Sequence, residues 1–335
     1  MTQPDRPTQA VLGALAADSL AMPAHWYYDR EALAADYGPL TSYRSPLTPH
    51  PDSIMHRSHY QVLNGKNDIL RDRTPLFGGP MGIHYHQTLQ AGDSTLSLQL
   101  ALLLLESLVA RSGYDASDYL DRYLDFFLTP GRNRDTYIEE AHRHFFTNYA
   151  RGQAPATCGV ADHHIGGIAS VPVLSAWFGD DSDLQRFVIQ QHVALTHNHS
   201  RVLEAADVLG RILGGIFRGI PVRDAIFQHS GEWFCPRQAG QWGGLPDETV
   251  VGQVLSCACY IQDAFPAALF LAWKYHNDFD AAVTTNARLG GDNCHRGAVV
   301  GAILGAANGV PPHWLNGLRE RARAERLLDR SAATP

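Results

Sequence analysis

At 335 residues, with 45% hydrophobic and 18% charged residues, the chain has the composition of a folded protein with a substantial core, not of a disordered segment. A formal net charge of −7 without any Lys/Arg run argues against polyanion binding, so no nucleic-acid groove is expected. The longest apolar runs, ALLLLESLVA and GAVVGAILGAA, fall short of the ~20 residues a membrane-spanning helix needs, so no membrane partner is expected either.

In chain order, QAVLGALAADSLAMPAHW repeats apolar residues at helical spacing until Pro23 ends or kinks the helix. No basic region precedes this stretch, which argues against a signal peptide. Residues 38–92 are rich in Pro, Gly, His and Ser and hold no sustained period; such a segment reads as a long lid or binding loop. From Thr95 the helical pattern is strong, and TLSLQLALLLLESLVARSG closes at Gly113, a residue suited to capping. Further helices are predicted at DASDYLDRYLDFFL, RDTYIEEAHRHFFTNYARG, DLQRFVIQQHVALTH, SRVLEAADVLGRILGGIFRG, TVVGQVLSCACYIQD, FPAALFLAWKYH and FDAAVTTNARL. The final run, GAVVGAILGAANG, spaces Gly297, Gly301 and Gly305 four apart, which suits close backbone approach inside a helical core. Five cysteines (Cys158, Cys235, Cys257, Cys259 and Cys294), odd in number and without CxxC spacing, point to a reducing compartment, and a cytoplasmic protein is expected. The whole reads as all-α: one domain over 1–335, with the 38–92 loop within it.

Three stretches place polar groups at the start of an apolar helix: AGDSTLSLQL with Asp93, Ser94 and Thr95; THNHSRVLEA with His197 and His199; and GGDNCHRGAVVG with Asp292, Asn293, Cys294, His295 and Arg296. Asp, Ser and Thr are ordinary N-caps, and an acid there complements the helix dipole. Capping leaves the repeated Gly-Asp format unexplained. Two acids at two helix starts can converge, and converging carboxylates with nearby hydroxyls or amides make an oxygen-rich cation site. Asp93 and Asp292 are therefore expected at the floor of one cleft. Cys294 beside His295 also invites a thiolate-nucleophile reading, with a base drawn from His163, His164 or His197. Trp26, Tyr27, Tyr28 and Phe77 are candidates to stack on a base or sugar, with a core role as the plainer reading.

Five stretches together resemble the ADP-ribosylglycohydrolase family: LGALAADSLAMPAHW with Asp18, AGDSTLSLQLALLLLESL, VADHHIGGIASVPVLSAWF, THNHSRVLEAADVLGRILGGIFRG and GGDNCHRGAVVGAILGAANGVPPHW. The resemblance runs over most of the chain. It implies an orthogonal all-α bundle that holds two Mg²⁺ or Mn²⁺ ions in a cleft and hydrolyses the bond between ADP-ribose and an acceptor. Carried across, the family's Thr-Asp-Asp falls on Gly92, Asp93 and Ser94, and its last-motif Asp, Asp and Thr fall on Asp292, Cys294 and His295. Two carboxylates of four remain.

On this resemblance the expected catalytic residues are Asp93, Asp292 and His295. The expected metal ligands are Asp93, Ser94, Asp292 and Cys294. Substrate contacts are expected from Ser94, His84, His86, His163, His164, Gly166, Gly291, Asn293 and Arg296. Three cation states stay open: one hard ion on Asp93 and Asp292; Zn²⁺ on a Cys294, His295 and carboxylate set; or no metal, with Arg296 or a protonated His295 neutralising the acids. Mg²⁺ or Mn²⁺ is expected to bind weakly or not at all. The partner is a small-molecule or ADP-ribosylated substrate, and the reaction is hydrolysis of an N- or O-glycosidic ribosyl linkage. The alternative is a non-catalytic family member, a ligand-binding pseudoenzyme or a structural protein, since AHWYYD resembles the jellyfish lens crystallin branch.

Overall fold

The structure is a computed structural model and describes residues 5–179 and 182–329. Helix α1 (Arg6–Ala21) opens with Pro7 in its first turn, and a 3-10 turn at Met22–Ala24 ends it where Pro23 falls. In α2 (Arg30–Tyr37) the Asp29 side chain caps the N–H groups of Glu31 and Ala32. Residues 38–92 contain three short 3-10 turns and neither α-helix nor strand, as their composition predicts. Next come α3 (Leu96–Arg111), α4 (Ala116–Leu128), α5 (Glu140–Ala150), α6 (Val171–Phe178), α7 (Ser182–Ala194) and α8 (Ser200–Phe217). The last half adds α9 (Val222–His229), α10 (Pro236–Trp242), α11 (Asp247–Val250), α12 (Ile261–Lys274), α13 (Phe279–Arg288), α14 (Asn293–Asn308), α15 (Pro312–Gly317) and α16 (Arg321–Leu328). Among the described residues there is no strand, only isolated bridges. The architecture is all-α.

The centre is α14. Every residue from Asn293 to Ala306 is buried, polar first turn included, so this helix needs partners on all sides. It gets them from α1, α8, α12 and α13. Its tightest partner is α1, and glycine sets the spacing. A Cβ on Gly301 would lie 2.1 Å from the carbonyl oxygen of Gly13, one on Gly13 2.0 Å from that of Gly301, and one on Gly305 2.3 Å from that of Gln9. The four-residue glycine spacing is thus a seam along which two backbones touch.

Three local expectations change. The left-handed residue ending α3 is Ser112 (φ 52°), while Gly113 follows it and donates its N–H to the Leu108 carbonyl. Residues 134–139 stay extended, and α5 starts at Glu140. The predicted helix TVVGQVLSCACYIQD breaks: Gly252 takes φ 140°, Ser256–Tyr260 runs as a loop, and α12 begins at Ile261. The loop is held by an antiparallel bridge in which Ile165 N–H donates to Cys259 O (2.9 Å) and Ile261 N–H to His163 O (2.8 Å). Pairing with a distant segment outcompetes the apolar period there. Both breaks fall at the site described next.

Candidate functional site

The starts of α3 and α14 meet, and acids from elsewhere serve them. Asp18 of α1 accepts from Thr95 N–H (2.8 Å) and Thr95 Oγ1 (2.7 Å), and Asp135 accepts from Leu96 N–H (3.0 Å). The first N–H groups of α3 therefore face two carboxylates not on its own N-cap, in the favourable sense of the helix dipole. At α14 the acid is local: Asp292 Oδ1 accepts from His295 N–H (3.4 Å).

From Asp135 a buried chain of acids and imidazoles runs to Glu139. His86 Nδ1 donates to Asp135 Oδ1 (2.8 Å), and His86 Nε2 lies 2.7 Å from His25 Nδ1. His25 Nε2 reaches Asp292 Oδ1 at 3.1 Å. His295 joins the two remaining acids: its Nδ1 is 2.7 Å from Asp292 Oδ1, and its Nε2 is 3.0 Å from both Glu139 Oε1 and Ser97 Oγ. Ser97 Oγ also donates to Glu139 Oε1 (2.9 Å).

Burial holds His25 down to about 3, so that ring is neutral. For His295, burial alone would lower the pKa, but the Asp292 and Glu139 carboxylates and their hydrogen bonds outweigh it and hold the ring charged well above 6.5. In turn, burial would raise both acids, but the His295 charge keeps Asp292 and Glu139 well below the usual carboxylate range.

Two carboxylate oxygens in this cluster have no hydrogen-bond partner although buried: Glu139 Oε2 and Asp292 Oδ2. His164 lies between them, its Nε2 3.3 Å from Asp292 Oδ2 and its Nδ1 3.8 Å from Glu139 Oε2. The His164 Nδ1 accepts from Gly166 N–H (2.9 Å), so in the neutral ring the proton sits on Nε2. Gly166 is there for room, since a Cβ would stand 2.7 Å from Glu139 Oε2. Above this floor opens a cavity of about 510 Å³. Trp26, Tyr28, Tyr85, Tyr137 and Tyr260 form its aromatic walls, with Glu139, Glu140 and Asp162 as acids, and no Lys or Arg among the described residues lines it. The long loop contributes Ile54, Ser58 and Tyr85. A second cavity of about 480 Å³ shares Glu140, His144 and Val160 with the first and adds Arg143 and Arg151.

Of the residues singled out in the sequence, Asp292, His295, His163, His164 and Gly166 meet at or beside this floor; His163 stacks on Tyr260 at 4.9 Å. His86 is in the chain beneath, and His84 is buried behind it, bonded to Pro23 O (2.9 Å). Asp93 goes elsewhere: its Oδ2 accepts from Gln90 N–H (2.8 Å), and its Oδ1 faces Arg319 (3.7 Å) and Arg134 (3.9 Å), so it shares no partner with Asp292. Ser94 pairs with Ser19 (3.2 Å). Cys294 Sγ points to Asp18 O (3.7 Å), and its burial, helped by the Asp18 carboxylate, drives the thiol well above 9, which disfavours the thiolate nucleophile. Arg296 does not neutralise the acids: its Nε donates to Asn286 Oδ1 (2.8 Å) and its Nη2 to Gly290 O (2.9 Å). Asn293 bonds to Ala24 O (3.2 Å) and Ala287 O (2.8 Å), and Gly291 presses on Cys257 O; both are structural supports of the turn.

These positions do not fit a pair of hard divalent ions. Such ions want several converging oxygens. Here Gly92 has no donor, Ser94 and Cys294 are turned to Ser19 and Asp18, Asp93 faces two arginines, and an imidazolium stands beside Asp292. Mixed donor groups within 4.8 Å do occur: His25–His86–Cys294, His25–Asp292–His295, Glu139–His164–His295 and His164–Cys259–Asp292.

Sequence reasoning missed His25, Ser97, Asp135, Glu139 and Cys259. Glu139 and Asp135 sit in what reads as a helix, and Cys259 likewise; the only available signal was the Pro23 stop, after which His25 is free to turn inward.

A family model described as ADP-ribosylglycohydrolase matches residues 1–334. Crystallin J1A of Tripedalia cystophora is 23% identical, over 93% of this chain and 91% of that protein. A solved chain from an ADP-ribosylglycohydrolase-related protein complex superposes with a TM-score of 0.59 at 22% identity, covering 97% of this chain and 96% of that one, which establishes a shared fold.

Proposed function

The chain belongs to the ADP-ribosylglycohydrolase family, and on that premise we propose that it hydrolyses an N- or O-glycosidic ribosyl linkage in the cavity above Glu139, His164 and Asp292. The observation that carries this reading is Glu139. Its Oε1 is pinned by Ser97 and His295, while its Oε2 is buried and unpartnered, and the residue lines the cavity. The His295 charge keeps this carboxylate ionised and a weak base, so its part is to orient the water and take its proton only as the bond to carbon forms. As the water oxygen attacks the ribosyl anomeric carbon, its proton passes to Glu139 Oε2 and the glycosidic electron pair leaves with the acceptor.

The transition state of such a cleavage carries positive charge on the ribosyl ring. A wall with three acids and no Lys or Arg suits that charge. The aromatic rings offer faces for sugar or base, and Arg143 and Arg151 of the adjoining cavity offer cations for a diphosphate. No step is assigned to Mg²⁺ or Mn²⁺, because the donors at the motif positions do not fit them. All five cysteines are free, which supports a reducing, cytoplasmic setting, and no described helix is long and apolar enough to cross a membrane.

The likeness to Crystallin J1A supports a second reading, a family member that keeps the fold without turnover. One experiment separates the two. Peptides carrying ADP-ribose on arginine or on serine are incubated with the protein, and free ADP-ribose is followed by chromatography beside a direct ADP-ribose binding measurement. Release from either peptide supports the hydrolase. Binding without release supports the second reading.

A further inference from the structure

We propose that the cavity between the 3-10 turn Arg71–Leu76 and the loop 129–134 binds a phosphate group, held by Arg71, Arg134 and the side-chain amide of Asn133. This cavity measures about 330 Å³ and shares no lining residue with the two cavities described above. Three arginines line it, Arg71, Arg73 and Arg134, against one acid, Asp72.

Arg73 is committed to the fold. Its Nε donates to Leu70 O (3.3 Å), its Nη2 to Ile69 O (3.1 Å) and its Nη1 to Asp135 O. Three carbonyls satisfy these donors and leave the charge unneutralised. Burial lowers the Arg73 pKa, the Asp135 and Asp72 carboxylates oppose that shift, and the charge of Arg71 adds to it. The Asp135 carboxylate is itself engaged by Leu96 N–H and His86. Arg134 is 61% exposed and meets an acid only at 3.9 Å, at Asp93, which Arg319 shares. Like charges thus gather at this cavity without a matching set of acids, and an anion between them would relieve their repulsion.

Asn133 points to a ligand independently of charge. Its side chain is 6% exposed and lines the cavity. Its Oδ1 accepts from Asp135 N–H (3.0 Å), which fixes the orientation of the amide. The Nδ2 end is buried and has no hydrogen-bond partner. A buried donor left in this way calls for an acceptor.

The donor set chooses the ligand. Guanidinium and amide N–H groups only donate, so the ligand must be rich in acceptors and negative. A phosphate group accepts from several donors at once and carries enough charge to offset two arginines, whereas a carboxylate carries one charge. The volume is at the lower end for ligand cavities, and Phe127 supplies an apolar wall, so a phosphate on a small organic body fits as well as the free ion. Arg73 and Asn133 also grip the Asp135 backbone by its O and its N–H, so the site abuts the acid that serves α3 and His86.

The test is calorimetric titration of the full-length protein in low-salt buffer, with inorganic phosphate and glycerol 3-phosphate as the probes. The expected result is one equivalent bound, with affinity falling as salt is raised. Arg71→Gln and Arg134→Gln should each weaken binding about 10-fold or more. Asn133→Asp keeps an acceptor for Asp135 N–H and puts an anionic oxygen in place of the Nδ2 donor. It should abolish binding while melting no lower than the wild type; if it melts early, the two arginine variants decide. Arg151→Gln, in the second cavity, should leave binding unchanged. Tighter binding of the ester assigns the site to phosphate esters, and tighter binding of inorganic phosphate assigns it to the free ion. A wild type that binds neither probe, binding that survives both arginine substitutions, or binding lost only in Arg151→Gln would overturn the site. None of these readouts uses turnover, so the outcome is independent of the hydrolase reading.

Discussion

His295 is the residue on which the buried charge depends. It is 2% exposed and lies between Asp292 and Glu139, themselves 0% and 5% exposed. Removing one member of a buried charged set leaves the others uncompensated, at a cost of about 3–5 kcal/mol. His295→Gln should lose that much in denaturant unfolding, while a change under ~1 kcal/mol would mean that the acids are protonated or solvated instead. Asp18 gives the pH signature. Burial raises it to about 6, although the two Thr95 bonds pull the other way. The folded chain thus holds this proton more tightly than the unfolded chain, whose value is 3.8. The contribution is fully present below 3.8, is lost as pH rises toward 6, and is constant beyond. Unfolding free energy against pH should therefore slope downward across that window by on the order of 3 kcal/mol more in the wild type than in Asp18→Asn. Parallel curves would refute the assignment. At this scale the sequence was half legible. Asp292, His295 and His164 stand in motifs whose chemistry shows. Glu139, His25 and Cys259 come to the site by tertiary contacts that no spacing encodes, and Asp93 was misled by its motif, since two arginines from distant segments claim it.

Among the elements, the seam between α1 and α14 is where a single methyl group decides packing. Gly301→Ala would push a Cβ to 2.1 Å from a rigid backbone oxygen on the partner helix, and should cost at least about 1–3 kcal/mol. Gly240 is the contrast. It lies exposed within α10 with nothing within 4 Å of an added Cβ, so Gly240→Ala should stabilise by about 1 kcal/mol. Comparing the two variants by thermal melting tests the seam, and equal melting temperatures would contradict it. Most helices could be read from period, as with α4 after Asp115, whereas the short α2 behind Asp29 was not anticipated. The two helices read too long share a cause. Residues 134–139 and 256–260 have helical composition, but their backbone and side-chain groups are engaged elsewhere: Asp135 with Leu96 and His86, Cys259 with Ile165. Where local preference and the site conflict, the site wins.

Over the whole molecule, α14 carries Asp292 and His295 on a helix buried on every side, and α1, α3 and the turns around them fix the charges from below. The long loop and the 256–260 turn then wall the cavity from above. The fold was legible because the family's glycine and small-residue helices persist. The chemistry was less so, because four of the positions that the resemblance marks as ligands hold Gly92, Ser94, Cys294 and His295 instead, and the acid that lines the cavity, Glu139, comes from another segment. In the proposed reaction, turnover therefore depends on Glu139 as base. The most direct test is the single-turnover rate of ADP-ribose release at saturating ADP-ribosylated peptide for the wild type and Glu139→Gln. A base acting at this position contributes about 10²–10⁴-fold. The account predicts a loss within that range with peptide binding retained; a Glu139→Gln protein that releases ADP-ribose as fast as the wild type would contradict it.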